Sequence, residues 1–464
     1  MQPVSRLLIL FITLLIIFTA CKKNTQELVA TPPPVITPPP TTPPPPSSDV
    51  LKDSALFYAR DLYLWENQIP ATFNARSYAD LNLVMEGIRP YSIEPGFTSA
   101  VDRWSFAMKK TEWDQMSGGI GSLGTSTGAD GDFGLSVFFK AEGDLRIRLV
   151  EPSSPAGISG IRRSWKVLQI NGNNNMTTGN ADFIVNAVYY ASVISMTLQR
   201  PDGSQTNVSL NAAHYPEKPV YLDTVYNYND KKIGYLVYNS FLGNITGVLS
   251  EFQRVFDHFA AAGVTDVVVD LRYNGGGYVS LQEKLANYLA PFSANGGVMM
   301  KQVYNNKNSQ YNSTTNFQKT GSVSLNKVYF IVGRGTASAS ELLINNLKPY
   351  MDVKLIGTGN THGKPVGFFP VPVGEWYVFP VSFKTTNKNG EGNYYNGFTV
   401  NAQVADGLDK EWGDINEASL ASAIRNITTG AYLVPERYTE PTNVSAGNNK
   451  LDEPLLKVTI GTKR

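Results

Sequence analysis

Residues 50–118 carry apolar positions at helical spacing. Leu51, Ala55 and Ala59 recur four residues apart, and similar spacing continues until Pro90 interrupts it. Because an α-helix buries one stripe of side chains with a period of 3.6 residues, the pattern predicts short amphipathic helices. We expect a small helical N-terminal cap.

Residues 128–213 change to the shorter period of β-strands. Short β-like runs occupy residues 145–150, 195–199 and 207–210, and the Pro-Asp-Gly sequence at 201–203 has the composition of a hairpin turn. The segment is therefore predicted to form a β-rich domain.

From residue 214 to residue 464, apolar strands alternate with amphipathic helices. Residues 233–238 predict a strand, and the helix after it has one apolar face and ends at Gly263. Residues 267–271 are continuously apolar except for Asp270, which is typical of a strand buried on both faces. The pattern predicts an α/β core over residues 214–464.

The N-terminal residues 1–20 predict export. Arg6 precedes an almost unbroken apolar run at 7–18, and small residues follow it. The run is too short for a comfortable membrane span. Cys21 comes next, in a setting that resembles the lipobox of bacterial lipoproteins, which implies that Cys21 is lipidated and becomes the mature N-terminus.

Residues 21–49 are rich in proline and predict an extended spacer without a packed core. Together with Cys21, this segment predicts a domain held by its lipid at a bacterial membrane, on the periplasmic side or the cell surface.

The composition predicts a globular protein without a strong overall charge. The chain has 464 residues, 42% of them hydrophobic and 17% charged, with 40 Lys+Arg against 39 Asp+Glu. A net charge of +1 provides no broad field that would attract nucleic acid, so specificity must come from a local site. The single cysteine leaves disulfides no part in stability.

Three segments of the α/β region combine a strand end with residues that can do chemistry. In the first, residues 267–280, the buried strand runs into Gly275, Gly276 and Gly277, which let the backbone turn tightly and face an anion with its N–H groups. A phosphate cradle is an alternative interpretation, but no Lys-Ser or Lys-Thr follows the glycines. A simple tight turn is the other.

The second and third segments offer a serine and a lysine. In residues 328–347 a helix begins near Ser338; a serine there is commonly a cap, yet the free N–H groups of a helix start also suit a nucleophile. In residues 355–367 Lys364 stands between a glycine and a proline after a strand. A lysine held against the core is desolvated, which lowers its pKa and lets it act as a base.

Together these segments resemble the C-terminal processing, or tail-specific, peptidase family. The resemblance is carried by DLRYNGGG at 270–277, GTASASE at 335–341 and THGKPVG at 361–367. It implies a crotonase/ClpP-like α/β core and a serine peptidase that forms an acyl-enzyme without a metal or organic cofactor. In that family the nucleophile and general base correspond to Ser338 and Lys364.

The same resemblance implies further site residues. The backbone N–H groups of Ala339 and Gly276 would form the oxyanion hole. Glu341 would orient Lys364 or have a structural role only. Some relatives use instead a glutamine four residues after the lysine, where this chain has Phe368.

The sequence FGLSV at 133–137, with the segment after it, resembles a PDZ domain. The resemblance implies that an extended peptide adds as a strand at a sheet edge, with Phe133, Gly134 and Leu135 as peptide-binding residues. At 163–166, Arg-Ser-Trp-Lys replaces the family's Pro-Gly-Asp. A domain that only braces its neighbour is the alternative.

The expected function is a serine endopeptidase that cleaves unfolded or C-terminal segments of proteins. His362, two residues before Lys364, is the one histidine placed to serve as the base instead. Two other functions stay open: a non-catalytic, peptide-binding lipoprotein scaffold, and a crotonase-like enzyme acting on a small acyl compound. Expected partners are polypeptide substrates and, through the lipid, a membrane.

Overall fold

The computed structural model describes residues 47–117, 131–433 and 441–459. The predicted signal peptide, Cys21 and the proline-rich tether up to residue 46 lie outside these residues and stay predictions. Within the described ranges, no helix has both the length and the apolar character needed to cross a membrane.

The N-terminal region contains helices and one short strand. Its elements are α1 (Ser48–Leu62), α2 (Leu81–Ile88), β1 (Phe106–Lys109) and α3 (Lys110–Ser117). Helix α2 begins where the Asp80 side chain accepts a hydrogen bond from the Leu83 N–H at 2.8 Å, which satisfies a donor that the first turn leaves unpaired. The expected cap is thus only partly helical, because β1 lies between α2 and α3 and pairs antiparallel with strand Trp376–Phe379.

Residues 131–213, called the inserted domain below, form a five-stranded antiparallel sheet with short helices. Its elements are β2 (Leu135–Ala141), β3 (Asp144–Val150), α4 (Pro155–Ile158), β4 (Lys166–Ile170), α5 (Ala181–Val185), β5 (Val193–Gln199) and β6 (Gln205–Asn211). The strand order follows the chain from β2 to β6, so β2 lies at one edge of the sheet. Leu135, Val137 and Phe139 alternate along β2 and are buried in the domain core.

The C-terminal region is an α/β core. Its elements are β7 (Val220–Tyr228), β8 (Lys231–Tyr238), α6 (Ile245–Ala262), β9 (Asp266–Asp270), α7 (Val279–Leu289), β10 (Val298–Tyr304), β11 (Ser313–Asn316), β12 (Lys327–Val332), α8 (Ala339–Leu347), β13 (Asp352–Gly357), β14 (Val366–Gly367), β15 (Val371–Val373), β16 (Trp376–Phe379), β17 (Phe383–Thr386), β18 (Ala402–Gln403) and α9 (Ala418–Thr429). The last helix, α10 (Thr442–Thr459), follows the core along the chain but packs against the inserted domain, so the expected core over residues 214–464 does not include it. Six strands form the central sheet, in the order β18-β13-β12-β9-β8-β7.

Both faces of the central sheet are covered. Alternate residues of its strands enter two separate apolar cores, one shared with helices α6, α7 and α8 and the other with α9. Strands β8, β9, β12, β13 and β18 run parallel, and β7 pairs antiparallel with β8. The continuous apolar strands predicted an α/β core with a sheet buried on both faces, and the structure has this arrangement.

The parallel arrangement brings the three chemical segments together. Strands β9, β12 and β13 are neighbours and end at Asp270, Val332 and Gly357. Because the carboxyl ends of parallel strands meet at one edge of a sheet, the segments that follow them are the usual place for a site.

The N-terminal helices share a core with the segment that follows Lys364. Strand β1 pairs with β16, and α1 and α2 bury their apolar faces against the β15–β16 hairpin. The N-terminal region is therefore part of the wall around the lysine and can contribute residues to the site.

Candidate active site

Ser338 occupies a sharp turn between β12 and α8. Its φ of 56° and ψ of −116° are rare for a residue with a side chain, and such a conformation costs roughly 1–3 kcal/mol. Ala337 and Ala339 on either side are buried, whereas Ser338 stays half-buried and can meet a ligand. Strained backbone of this kind, held by its surroundings, is typical of functional sites.

The carboxylate of Glu341 connects the serine turn to the lysine loop. One oxygen, Oε2, accepts hydrogen bonds from the Ser338 N–H at 3.1 Å and the Lys364 N–H at 2.7 Å. The other, Oε1, accepts from the Thr361 hydroxyl and the Gly363 N–H, both at 2.6 Å. Burial raises the pKa of Glu341 to about 7, and these four hydrogen bonds limit the rise. Only the ionised carboxylate can accept all four.

Lys364 is buried and has the electrostatic character of a base. Its side chain belongs to a residue only 4% exposed, and burial lowers the pKa of its ammonium group to about 7, although the negative charges of Asp102 and Glu341 oppose the fall. The Nζ atom lies 4.0 Å from the centre of the Phe368 ring. A ring in this place restricts the lysine without offering a hydrogen bond.

His362 is held in a neutral form with its acceptor nitrogen occupied. The Trp104 indole N–H donates to His362 Nε2 at 3.2 Å. Burial, together with the positive charges of Arg103 and Lys364, lowers the pKa of His362 to about 3. The alternative in which His362 takes the serine proton is therefore disfavoured.

The glycine turn after β9 lies directly against the serine turn. Gly276 has φ of 101°, and a Cβ atom built there would lie 2.8 Å from Ser338 Cβ and 2.9 Å from Ala339 N. Only glycine permits this approach. The Gly276 N–H, however, donates to Asn274 Oδ1 at 2.9 Å, so an oxyanion at this donor would have to replace the Asn274 side chain.

Asn274 was not singled out from the sequence, although it fastens the glycine turn to two neighbours. Its side-chain N–H donates to the Tyr238 carbonyl at 3.0 Å. The backbone carbonyl of Asn274 accepts hydrogen bonds from the Ala337 N–H at 3.1 Å and from the Ser340 hydroxyl at 2.9 Å. An asparagine between a buried strand and a glycine run is the signal that sequence reasoning passed over.

The N-terminal region supplies residues that sequence reasoning also missed. The Asp102 carboxylate accepts hydrogen bonds from the Tyr63 hydroxyl at 2.8 Å and the Ser105 hydroxyl at 2.6 Å, and its charge favours the ammonium form of Lys364. Arg103 donates to the Tyr395 carbonyl at 2.9 Å. Two charged residues beside a tryptophan in an apolar segment indicate a functional site only weakly. The residues that Asp102 and Arg103 act on near the lysine are also far away along the chain.

A buried ionic cluster joins the inserted domain to the glycine turn. Arg272, just before the turn, pairs with Asp270, Asp406 and Glu417 at distances of 2.7 to 2.9 Å. Arg163, within the segment that departs from the PDZ pattern, pairs with Asp406 at 2.5 Å. The departure therefore places a cation at the junction of the two regions.

The predicted peptide-binding residues lie at the start of β2 with much of their backbone already paired. The Gly134 N–H donates to Asp132 Oδ1 at 2.7 Å, and its carbonyl accepts from the Glu151 N–H at 2.8 Å. Phe133 and Leu135 point their side chains into the domain core. Their role in binding stays a prediction.

Among the described residues, no group of three or more His, Cys, Asp or Glu side chains could hold a metal ion. The chemistry available around Ser338 is that of a strained serine, a desolvated lysine and a buried carboxylate.

Comparison with known proteins relates the site to one family. The profile described as Peptidase family S41 matches residues 232–397, which include Gly276, Ser338, Glu341 and Lys364. A protein of Staphylococcus epidermidis named as a CtpA-like serine protease is 28% identical over 249 residues, which cover 52% of this chain and 46% of that protein. A Staphylococcus aureus protein of the same name is 27% identical over 243 residues, with the same shares. The chain spans about half the length of the curated relatives it matches.

Among solved structures, the crystal structure of a candidate S41 protease from Bacteroides fragilis has a TM-score of 0.63. It is 22% identical to this chain, and the match covers 81% of this chain and 97% of the other. At this level of identity the likeness establishes a shared fold.

Proposed function

Because residues 232–397 match the profile of peptidase family S41, we propose that this chain is a serine endopeptidase in which Ser338 and Lys364 form a catalytic dyad. The observation that carries the proposal is the burial of Lys364, with a pKa of about 7, in a loop that shares the Glu341 carboxylate with the Ser338 turn. A lysine with this pKa is substantially neutral near pH 7 and has a lone pair for a proton.

In the first half of the reaction, neutral Lys364 accepts the hydroxyl proton of Ser338 while Ser338 Oγ bonds to the substrate's carbonyl carbon. The carbonyl oxygen becomes an oxyanion beside Ala339 and the glycine turn, where backbone N–H groups stabilise it. The protonated lysine then gives its proton to the leaving amine. This breaks the peptide bond and leaves an acyl-enzyme on Ser338.

In the second half, Lys364 takes a proton from a water molecule that attacks the acyl carbon. The proton passes to Ser338 Oγ as the ester breaks, which restores the serine and the neutral lysine. Both halves use the same base, so its protonation state should control the whole cycle.

The inserted domain supports polypeptides as the substrate class. Its antiparallel sheet ends at β2, and a sheet edge of this kind binds extended chains by main-chain pairing, as a PDZ domain does. Substrates in this proposal are unfolded proteins or C-terminal tails, because only an extended chain can pair with a strand edge and also enter the Ser338 site. In this proposal the PDZ-like domain spans residues 128–213 and the N-terminal cap spans residues 50–118.

Digestion of β-casein, an unstructured protein, tests the proposal. The full chain should cleave it, and Ser338→Ala should lower the rate by about three orders of magnitude or more, since the nucleophile is lost. Ser313→Ala, at an exposed serine on β11, should cleave normally. Mass spectrometry of the fragments measures both. Equal cleavage by Ser338→Ala and the unsubstituted chain would rule out Ser338 as the nucleophile. No cleavage by either would make a peptide-binding scaffold the better assignment.

Membrane attachment through Cys21 is a separate part of the proposal. Cys21 follows an apolar export signal and precedes a proline-rich spacer, so a lipid there would hold the domains away from a bacterial membrane. Cys21→Ser should move the protein from the membrane fraction to the soluble fraction, as immunoblotting of fractionated cells would measure. A variant that stays with the membrane would contradict the lipid anchor.

A further inference from the structure

The free edge of the inserted sheet is covered by the chain's own C-terminal helix. Helix α10 packs against β2 and α5. Its side chains Val444 and Leu451 are 1% and 0% exposed and belong to the apolar core of the inserted domain. The helix therefore fills the space beside β2 in which a peptide strand would have to lie.

The helix also takes the backbone groups that a strand would use. Asn448 Oδ1 accepts from the Phe139 N–H at 2.8 Å, and Asn448 Nδ2 donates to the Phe139 carbonyl at 3.0 Å. In an antiparallel sheet, a residue of the neighbouring strand would form the same two hydrogen bonds with Phe139 through its backbone N–H and carbonyl. Two residues earlier on β2, the Val137 N–H donates at 3.3 Å to the hydroxyl of Tyr189, which belongs to the inserted domain itself.

Polar contacts extend α10 from the sheet edge towards the serine turn. Asp452 pairs with Arg148 of β3 at 2.5 Å. Asn449 Oδ1 accepts from Arg334 at 2.9 Å, and Arg334 lies only four residues before Ser338. One helix thus contacts both the predicted recruiting edge and the segment that carries the nucleophile.

The sequence of α10 gives the helix little stability of its own. The helix contains Gly447 and Pro454, which are the two residue types least favourable in a helix interior. Its helical form therefore depends on packing against the inserted domain rather than on local propensity. A segment of this kind detaches and unfolds more readily than a helix with strong local propensity.

We propose that α10 is an internal ligand of the inserted domain, which occupies the edge of β2 until an extended polypeptide displaces it. The polypeptide then pairs with Phe139 in place of Asn448. The class of displacing ligand rests on the proposed function, whereas the occupation of the edge by α10 does not.

A reversible covalent lock tests the proposal in one protein. A Cβ atom built on Gly447 would lie 3.0 Å from Thr178 Cβ, so Thr178→Cys with Gly447→Cys needs only a small shift to reach the roughly 3.8 Å usual in a disulfide. Cys21→Ser removes the remaining thiol, and Ser338→Ala prevents cleavage, so the result does not depend on peptidase activity. Fluorescence anisotropy of labelled β-casein should show at least tenfold weaker binding to the oxidised protein than to the same protein reduced.

A release variant gives the opposite change. Leu451→Asp puts a charge into the apolar core and should free α10, so that β-casein binds at least tenfold more tightly than to the Ser338→Ala parent. Ala446→Asp adds the same charge at an exposed position of the same helix and should leave binding unchanged. Equal affinity of the locked, reduced and Leu451→Asp forms, including no binding by any of them, would overturn the proposal and make α10 a brace.

Discussion

Replacing Lys364 by arginine should lower kcat/KM for β-casein by about three orders of magnitude or more, as much as replacement by alanine. Arginine keeps the positive charge but stays protonated at every working pH, so it cannot accept the Ser338 proton. A loss of this size corresponds to about 4 kcal/mol of transition-state stabilisation. Initial rates of fragment formation measure it, with circular dichroism to establish that each variant is folded.

Two controls make this result specific to the base. Lys348→Arg changes a lysine that also stacks on an aromatic ring, with its Nζ 5.0 Å from the centre of Phe398, and it should retain full activity. His362→Ala should keep most activity, because the Trp104 indole already occupies His362 Nε2. Near-normal turnover by Lys364→Arg, with loss of turnover in His362→Ala, would instead indicate a Ser-His mechanism.

The core and its family could be predicted because their signals are local. Strands β9 and β12 are continuous apolar runs that end in chemically distinctive residues, and parallel strands bring their ends to one edge. The resemblance to C-terminal processing peptidases is accordingly confirmed for residues 232–397, which match the profile of peptidase family S41.

The surroundings of the dyad could not be predicted, because they depend on contacts between distant parts of the chain. Trp104 and His362 are 258 residues apart in sequence, and no periodicity of either segment indicates that they meet. The family resemblance implies Gly276 as an oxyanion donor, but it does not indicate that the Gly276 N–H donates to Asn274. Such partners are decided by side-chain packing, which residue patterns do not encode.

Helix α10 escaped sequence reasoning for a different physical reason. Its glycine, proline and asparagines have low helix propensity, so local preference argues against a helix there. Packing of Val444 and Leu451 into the inserted domain overrides that preference. A helix that depends on tertiary contact can be recognised only once its partner surface is known.

Glu341→Gln should lower kcat by about two orders of magnitude and leave KM nearly unchanged. An amide has one acceptor oxygen, so whichever way it turns, its NH₂ group faces two of the four donors now bound by the carboxylate. Each unpaired buried donor costs about 1–3 kcal/mol. The donors belong to the turn that holds Ser338 and the loop that holds Lys364, so the substitution should displace these two segments. Glu375→Gln, at an exposed carboxylate in the β15–β16 turn, is the matched control and should behave normally.

The pH dependence separates a positioning carboxylate from a merely structural one. The pKa values of Lys364 and Glu341 are both about 7, and each group must lose a proton: Lys364 to act as a base, Glu341 to accept four hydrogen bonds. Activity should therefore rise with pH through this region, and on the acid side kcat/KM should fall about a hundredfold per pH unit, since two protons bind. Glutamine does not titrate, so in Glu341→Gln the acid-side fall of kcat/KM should be only about tenfold per pH unit, which is the slope for Lys364 alone. An acid slope of one proton in the unsubstituted protein, unchanged in Glu341→Gln, would mean that ionisation of Glu341 plays no part in the reaction.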